Sequence, residues 1–481
     1  MSVQGDVLHL AASSEWADVE LPDQRLHDRL DKIVAALEAN PRKSFPDAFE
    51  HQADLEGFYR FIRNPTVVPE DIVAPHHEAT VARCASEKEV LCVHDTTEFR
   101  FGGASEREGL GRLGVSGKGF LGHLGLAVSA DEARQPLGVL GVETWARQAT
   151  SLTQRVKTKS ISASQRWKFK SEQKRWGRIV DRVEEIVGDA TSLIHIMDSE
   201  ADDYTLLADL VGQSRRFVIR LCYDRVLDVE ESGSAPHTRT RDFVATAKVQ
   251  CTRRVQLSRR RRYPGGKGTR TQARTERRAR LAISAQSLVF RRPNGVSPEC
   301  PATCAVNIVR AVEIDPPMGE VPVEWLLITT EPIKTKKQIL KVVDYYRGRW
   351  RIEEYFKALK TGCAFEKRQL ESAKTLYNAL ALFVPIAWNL LRLRNLARSA
   401  PATPANRVLS KTQLRVLRLR LEQQRVHLPS NPNAHAALLG LARLGGHLRS
   451  NGEPGWEVLG RGYSELLWLV AGFQMAQRSD R

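Results

Sequence analysis

Short apolar runs at residues 90–93, 193–197, 217–222 and 324–329 alternate with longer segments of helical period. That alternation constrains the fold more than any other feature of the chain. Each run has the length of one buried strand, and helices between the runs can cover the sheet they would form. The expectation is a mixed α/β core. Two further β-prone runs, 121–128 and 137–144, flank the polar turn Ala130-Asp131-Glu132-Ala133 and predict adjacent antiparallel strands. Helices are predicted over 171–187, with Trp176, Ile179, Val180, Val183 and Ile186 inward, over 204–211, and over 336–360.

The core is interrupted and flanked. Residues 225–320 read as a β-prone insertion with an Arg-rich stretch and a Pro-rich stretch. Residues 1–70 read as helical, with helices over 22–37 and 47–62 carrying Arg25, Arg29, Arg60 and Arg63. Residues 371–481 read as helical, broken near Pro401 and Pro404. A length of 481 residues fits two to four domains at roughly 150 residues each. The divisions expected are 1–70, 71–370 and 371–481.

Composition narrows the class. No apolar run reaches the ~20 residues of a spanning helix, and the longest, 379–388, contains Pro385. The N-terminus lacks a charged start and a long apolar segment, so no signal peptide is expected. Seven scattered cysteines fit reduced thiols in a cytoplasm, and Cys300-x3-Cys304 has no second pair at zinc-finger spacing. The net charge of +17 implies a polyanionic partner. Twelve basic residues and one acid lie between Arg253 and Arg280, so that stretch alone carries +11. It is expected to contact DNA phosphates without reading sequence.

Three acids are candidates for chemistry. Asp95 and Asp198 each follow an apolar strand-like run, where a carboxylate is held rigidly yet reaches solvent. The third is on the predicted 336–360 helix. At about 100° per residue, Tyr346, Arg349, Glu353, Lys357 and Lys360 fall within an arc of roughly 80°, opposite Tyr345, Ile352, Tyr355, Phe356 and Leu359. Read alone, that face could be no more than an i,i+4 salt-bridge ladder. Taken together, three acids beside cations suit phosphodiester chemistry on two Mg²⁺ ions, which take a few carboxylates plus phosphate oxygens.

The stretch Tyr346-Arg-Gly-Arg-Trp-Arg-Ile-Glu-Glu-Tyr-Phe-Lys-Ala-Leu-Lys360 closely resembles the Tyr/Arg/Glu/Lys signature of bacterial cut-and-paste DDE transposases. The group is insertion-sequence family four, typified by the transposase of transposon five. Other landmarks follow in the family's order. They are Glu56-Gly-Phe-Tyr-Arg-Phe-Ile-Arg-Asn-Pro65, His94-Asp95-Thr-Thr, Met197-Asp198-Ser-Glu-Ala-Asp202, Glu324-Trp325 to Pro332, Leu441-Ala-Arg-Leu-Gly-Gly446 and Pro454-Gly-Trp-Glu. The heavy Arg253–Arg280 run and Gln369, where a base is expected, depart from the pattern.

The resemblance implies an RNase H-like mixed-sheet core with a β-rich insertion between the second Asp and the Glu. It implies an N-terminal helical DNA-binding domain and a C-terminal helical domain that pairs two transposon ends as a homodimer. Asp95, Asp198 and Glu353 would bind two Mg²⁺ or Mn²⁺ ions. Tyr346, Arg349, Lys357 and Lys360 would lie along the DNA, as would the four N-terminal arginines. Trp325 would stack on a base flipped from the duplex. The activity implied is nicking, hairpin formation and opening, and strand transfer. A nuclease that cuts without joining, or a non-catalytic DNA binder, would share much of this sequence.

Overall fold

The computed structural model describes residues 15–103, 107–113, 117–147, 173–228, 239–257, 259–260 and 273–479. Helices α1 (Gln24–Ala39), α2 (Phe45–Ala48), α3 (Gln52–Arg63) and α4 (Pro69–Cys84) come first. The predicted 47–62 helix is in fact two helices. Phe49 takes an extended conformation and buries its ring, which breaks the helix before His51 caps the next one. Asp23 caps α1 by accepting from the Arg25 N–H, so that helix begins where its sequence signal lies.

The sheet begins with β1 (Glu89–Arg100), β2 (Gly111–Leu113), β3 (Gly117–Ser129) and β4 (Pro136–Trp145). After α5 (Arg175–Val187) comes β5 (Ser192–Met197), and after α6 (Tyr204–Gly212) comes β6 (Phe217–Arg220). β1, β3 and β4 are antiparallel neighbours, whereas β5 pairs parallel with both β1 and β6. The order β4-β3-β1-β5-β6, three antiparallel strands followed by two parallel ones, is the RNase H-like core.

The insertion supplies helix α7 (Thr240–Ala245) and strands β7 (Cys251–Leu257), β8 (Arg277–Arg291) and β9 (Thr303–Ile314), and β10 (Glu324–Thr329) follows. β10 pairs antiparallel with β6, and β9, β8 and β7 continue outward from it. The insertion therefore extends the core sheet to ten strands among the described residues. Both ends of the Arg-rich run are strand. Within them Arg253 pairs with Asp344, and Arg277 pairs with Glu313 and Glu320. The run's formal charge thus overstates the cation free for DNA. Residues 261–272, its centre, lie outside the described residues.

The chain then forms α8 (Lys336–Arg347), α9 (Trp350–Lys357), α10 (Ala373–Ser399), α11 (Lys411–Gln423), α12 (Ala434–Leu444) and α13 (Trp456–Ser479). At 27 residues α10 is long and apolar enough to cross a membrane, contrary to the reading from the 379–388 run. Its most apolar window is 83% buried inside the protein, because α10 is the central helix around which the N-terminal helices, the sheet and the C-terminal helices pack.

A buried triad ties the N-terminus to this core. The backbone N–H of Val139 donates to His76 Nε2 at 3.0 Å, so the ring proton is on Nδ1, 2.5 Å from Glu15. Arg83 also donates to Glu15. Burial alone would raise the Glu15 carboxyl, but the bonds from His76 and then Arg83 bring it down from an ordinary 4.5 to about 2. Burial holds His76 neutral, below its ordinary range. Stability from Glu15 is therefore complete above about 4.5 and is lost as the pH falls toward 2. Stability from His76 falls as pH drops below 6.5. Glu15→Gln should cost roughly 3–5 kcal/mol at neutral pH, with the deficit shrinking in acid. Melting curves at neutral and acidic pH check this, and a constant deficit would refute it.

Candidate catalytic site and DNA interface

Asp95 lies within β1 rather than at its end. The parallel partner β5 covers β1 only as far as Val93, paired with Ile196. Beyond that register β1 continues beside β3 alone, so Asp95 emerges where the sheet opens. Asp198 follows directly on β5 and caps a short turn by accepting from the Glu200 N–H at 2.8 Å. The two aspartates therefore leave neighbouring strands at the same end of the sheet.

The expected single helix over 336–360 is not uniform. After Arg347 the chain tightens through Gly348 and Arg349, with bonds from Arg349 N to Tyr346 O and from Ile352 N to Arg349 O. Beyond Lys357 it widens into a π-helical turn, Ala358–Gly362. Gly348 packs close to β1, and a Cβ there would lie 2.8 Å from Leu91 Cδ1, so a larger residue would make that side chain shift. The approach brings Arg349 onto Asp95, with Nη1 3.2 Å from Oδ2, while its other nitrogen bonds Glu353.

The three acids share one electrostatic environment. The Asp95 carboxyl is pushed up from 3.8 to about 7, chiefly by burial; Arg349 opposes the rise, and Asp198 and Glu353 add to it. A carboxylate raised by two others marks a converging acid site. The donors are all oxygen, as Mg²⁺ and Mn²⁺ prefer, and the Arg349 guanidinium already stands between two of them as a cation. The residues fit a hard divalent ion. Glu354, the neighbouring acid, faces the other way and binds Arg351 and Arg394.

The other sequence candidates scatter more. Tyr346 is buried, not on an open polar face, and its ring meets Trp325 edge-on at 5.8 Å. Trp325 is half-buried and lines an open cleft of about 400 Å³ with Arg220, Arg241, Arg260 and Arg274. Lys360 donates to the Glu98 carbonyl at 2.5 Å, close to the acids' strand. Lys357 is exposed, with its ammonium 4.9 Å from the Trp350 ring rather than on Glu353.

Of the N-terminal arginines, Arg25 and Arg60 are exposed. Arg29 lies against Gly57, and Arg63 pairs with Glu371 at 2.9 Å just ahead of α10. Gln369 is exposed and its neighbour Arg368 is buried on the carbonyls of Pro41, Lys43 and Cys363, a structural role.

Sequence reading missed two groups here. Arg175 donates to Thr96, next to Asp95, and pairs with Glu200 beside Asp198, so it bridges β1 and the turn that follows β5. Asp202 is fully buried, accepts from the N–H groups of Cys222 and Tyr223, and pairs with Arg225, which clamps the loop after Asp198 to the root of the insertion. The motif Asp198-x3-Asp202 was the visible signal for the second; nothing in the local sequence of Arg175 marks it.

Comparison with known proteins gives two family matches. Residues 9–67 match the family described as transposase DNA-binding, which takes in all four N-terminal arginines. Residues 170–390 match the transposase DDE domain, which takes in Asp198 and Glu353 and begins after Asp95. Among solved structures, a piggyBac transposase in a synaptic complex with hairpin DNA aligns over 82% of this chain and 73% of its own, at 8% identity and a TM-score of 0.36. That likeness is too slight to carry any argument about function. The two matched families are a DNA-binding domain and a DDE domain of transposases, and together they span 9–67 and 170–390 of the chain.

Proposed function

We propose that the chain binds the inverted repeats at the ends of a mobile element as a homodimer and moves that element by cutting and joining DNA. The observation that carries this is the convergence of Asp95, Asp198 and Glu353 about one cationic group at the open end of the sheet. Residues 1–70 would bind the ends, 71–370, with the insertion at about 225–320, would do the chemistry, and 371–481 would dimerise. The reading belongs to a bacterial element of insertion-sequence family four, acting on nucleoid DNA in the cytoplasm.

Asp95, Asp198 and Glu353 would hold two Mg²⁺ ions, or Mn²⁺ in their place. Such ions activate the attacking oxygen and stabilise the departing one. Arg349, Lys360 and Tyr346 would hold the phosphates at the cleaved end, with Lys357 and the N-terminal arginines along the flanking duplex. Water would nick one strand, the freed 3′-OH would form a hairpin, a second water would open it, and the 3′-OH would attack target DNA. Folding a strand into a hairpin crowds its bases, and Trp325, at the lip of an arginine-lined cleft, is suited to receive one that leaves the stack.

The test is incubation of the purified chain with Mg²⁺ and a duplex carrying the repeats that flank its gene. Nicked, hairpin and joined products are expected. Cleavage without joining would reduce the reading to a nuclease, and binding without cleavage would refute an enzyme. Trp325→Ala should slow hairpin formation and opening roughly ten- to a hundred-fold while nicking is largely kept, and an abasic site at the flipped position should restore much of the loss. Equal loss of every step with a lowered melting temperature would make Trp325 a core residue.

A further inference from the structure

The two aspartates leave the sheet where the ladder joining their strands stops. β1 and β5 pair in parallel from Glu89 with Ser192 to Val93 with Ile196. Asp95 lies two residues past that last pair, and Asp198 lies two residues past it on the other strand. Backbone pairing between β1 and β5 therefore does not set the distance between the two carboxylates. Two ions held about 3.5–4 Å apart require that it be set.

The start of α5 spans that gap. Arg175 Nε donates to Thr96 Oγ1 at 3.2 Å, and the Thr96 N–H donates to Asp95 Oδ1 at 2.8 Å. On the other side Arg175 Nη2 lies 3.4 Å from Glu200 Oε2, and the Glu200 N–H donates to Asp198 Oδ1 at 2.8 Å. One guanidinium thus reaches each aspartate through a single intervening residue. Its own place is well defined. Arg175 is 7% exposed, and its guanidinium lies 5.3 Å from the centre of the Trp145 ring and 5.4 Å from that of Trp176. Trp176 is buried edge-on to His123 at 4.4 Å, and His123 Nδ1 lies 2.8 Å from the same Thr96 hydroxyl. Gln173, just ahead of α5, adds a bond from its Nε2 to the Glu200 carbonyl at 2.8 Å. Arg349 braces a different pair, Asp95 and Glu353.

We propose, on the reading of the three acids as one metal site, that Arg175 is a positioning residue that sets the spacing of Asp95 and Asp198 for the divalent ions. It acts through Thr96 on one strand and Glu200 on the turn after the other. Arginine suits the task because its donors are fixed in a rigid plane, so two partners on different elements are held at one separation. Lysine would offer a point charge on a flexible stem and could not hold both. Loosening the span leaves all three carboxylates and the Arg349 cation in place. What is lost is their preorganisation, so more of the binding free energy of the ions goes into ordering the carboxylates. The metal requirement should rise, while the rate at saturating metal changes less.

The test measures duplex cleavage by the full-length chain against Mn²⁺ concentration, beside Mn²⁺ binding to the DNA-free protein by electron paramagnetic resonance. Arg175→Lys should raise the Mn²⁺ needed for half-maximal cleavage about ten- to a hundred-fold and weaken Mn²⁺ binding in step, with the rate at saturating Mn²⁺ falling far less. Glu200→Gln keeps the N–H that Asp198 accepts from and alters only an exposed side chain. It should shift the metal requirement in the same direction by a smaller factor, and should add little in the Arg175→Lys background, because both changes cut one span. Folded Arg175→Lys with an unshifted metal requirement would overturn the proposal, as would a fall in rate at saturating metal alone. Should Arg175→Lys fail to fold, Glu200→Gln decides, and an unshifted requirement there overturns it. Wild-type protein with neither Mn²⁺ binding nor metal-dependent cleavage would bring down the reading of the three acids and the role of Arg175 with it. Wild-type protein that binds and cleaves beside unshifted variants would bring down the role of Arg175 alone.

Discussion

Asp95→Asn, Asp198→Asn and Glu353→Gln each lose metal-dependent strand cleavage, by at least about a thousandfold, and keep duplex binding. Each swap preserves shape and removes one charge. The asparagine amide oxygen at the first of these positions can still accept from the Thr96 N–H, as the Asp95 carboxylate does at 2.8 Å, so the local fold survives. DNA binding should hold or tighten slightly, since a carboxylate near phosphates repels them. The Asp95 variant carries a second signature. With its carboxyl raised from 3.8 to about 7, chiefly by burial, the ionised form is disfavoured in the fold. The cost is fully present above about 7 and is relieved as the pH falls through it, the opposite of an ordinary ion-paired aspartate. Asp95→Asn should therefore melt at or above the wild-type temperature in metal-free buffer at pH 8, and the difference should vanish in acid. Cleavage at near wild-type rate by any of the three variants would show that the acids are not one site. A less stable Asp95→Asn would show that its burial is not a strain held for function.

The sequence carried the parts of this arrangement that depend on local pattern. Apolar strand-length runs located β5, β6 and β10, and the Asp23 cap located α1. Helix periodicity put Glu353 on the cationic arc, and the resemblance gave it a role; it and Glu354 face opposite ways, one to Arg349 and the other to Arg394 on α10. What the sequence hid depends on contacts between distant segments. β1 runs to Arg100, well beyond its apolar run, because β3 pairs with its polar half. The insertion's strands pair with their neighbours in sequence, and what the pattern hid is that β10 pairs with β6, far earlier in the chain, so that they extend the core sheet. The close approach of Gly348 to Leu91, far earlier in the chain, and the tightened turn beside it are both absent from a regular 100° wheel. Helix α4 was missed altogether, and its Pro75 and mixed polarity give it no clear apolar stripe.

Arg349→Ala should weaken cleavage by about a hundred- to a thousandfold and at the same time tighten divalent-metal binding to DNA-free protein by about tenfold or more. The two effects have opposite signs because the residue holds two places in turn. In the free protein its guanidinium bonds both Asp95 and Glu353. Burial alone would weaken its hold on the proton, but Tyr346 and the surrounding acids outweigh that and keep it charged. A unit charge at about 4 Å is worth on the order of 4 kcal/mol at an effective dielectric constant near 20, so a dication entering the same oxygens must displace or repel it. Removing the guanidinium removes that competitor. Once displaced, Arg349 sits one helical turn from Glu353, where it can hold a phosphate with its forked donors, and alanine cannot. Arg349→Lys should restore part of the competition but little of the cleavage, because an ammonium lacks the fork. Titration of Mn²⁺ by calorimetry or electron paramagnetic resonance, beside the cleavage assay, reads both effects. If the alanine variant binds Mn²⁺ more weakly, Arg349 is a brace that keeps the acids aligned and not a cation that yields its place.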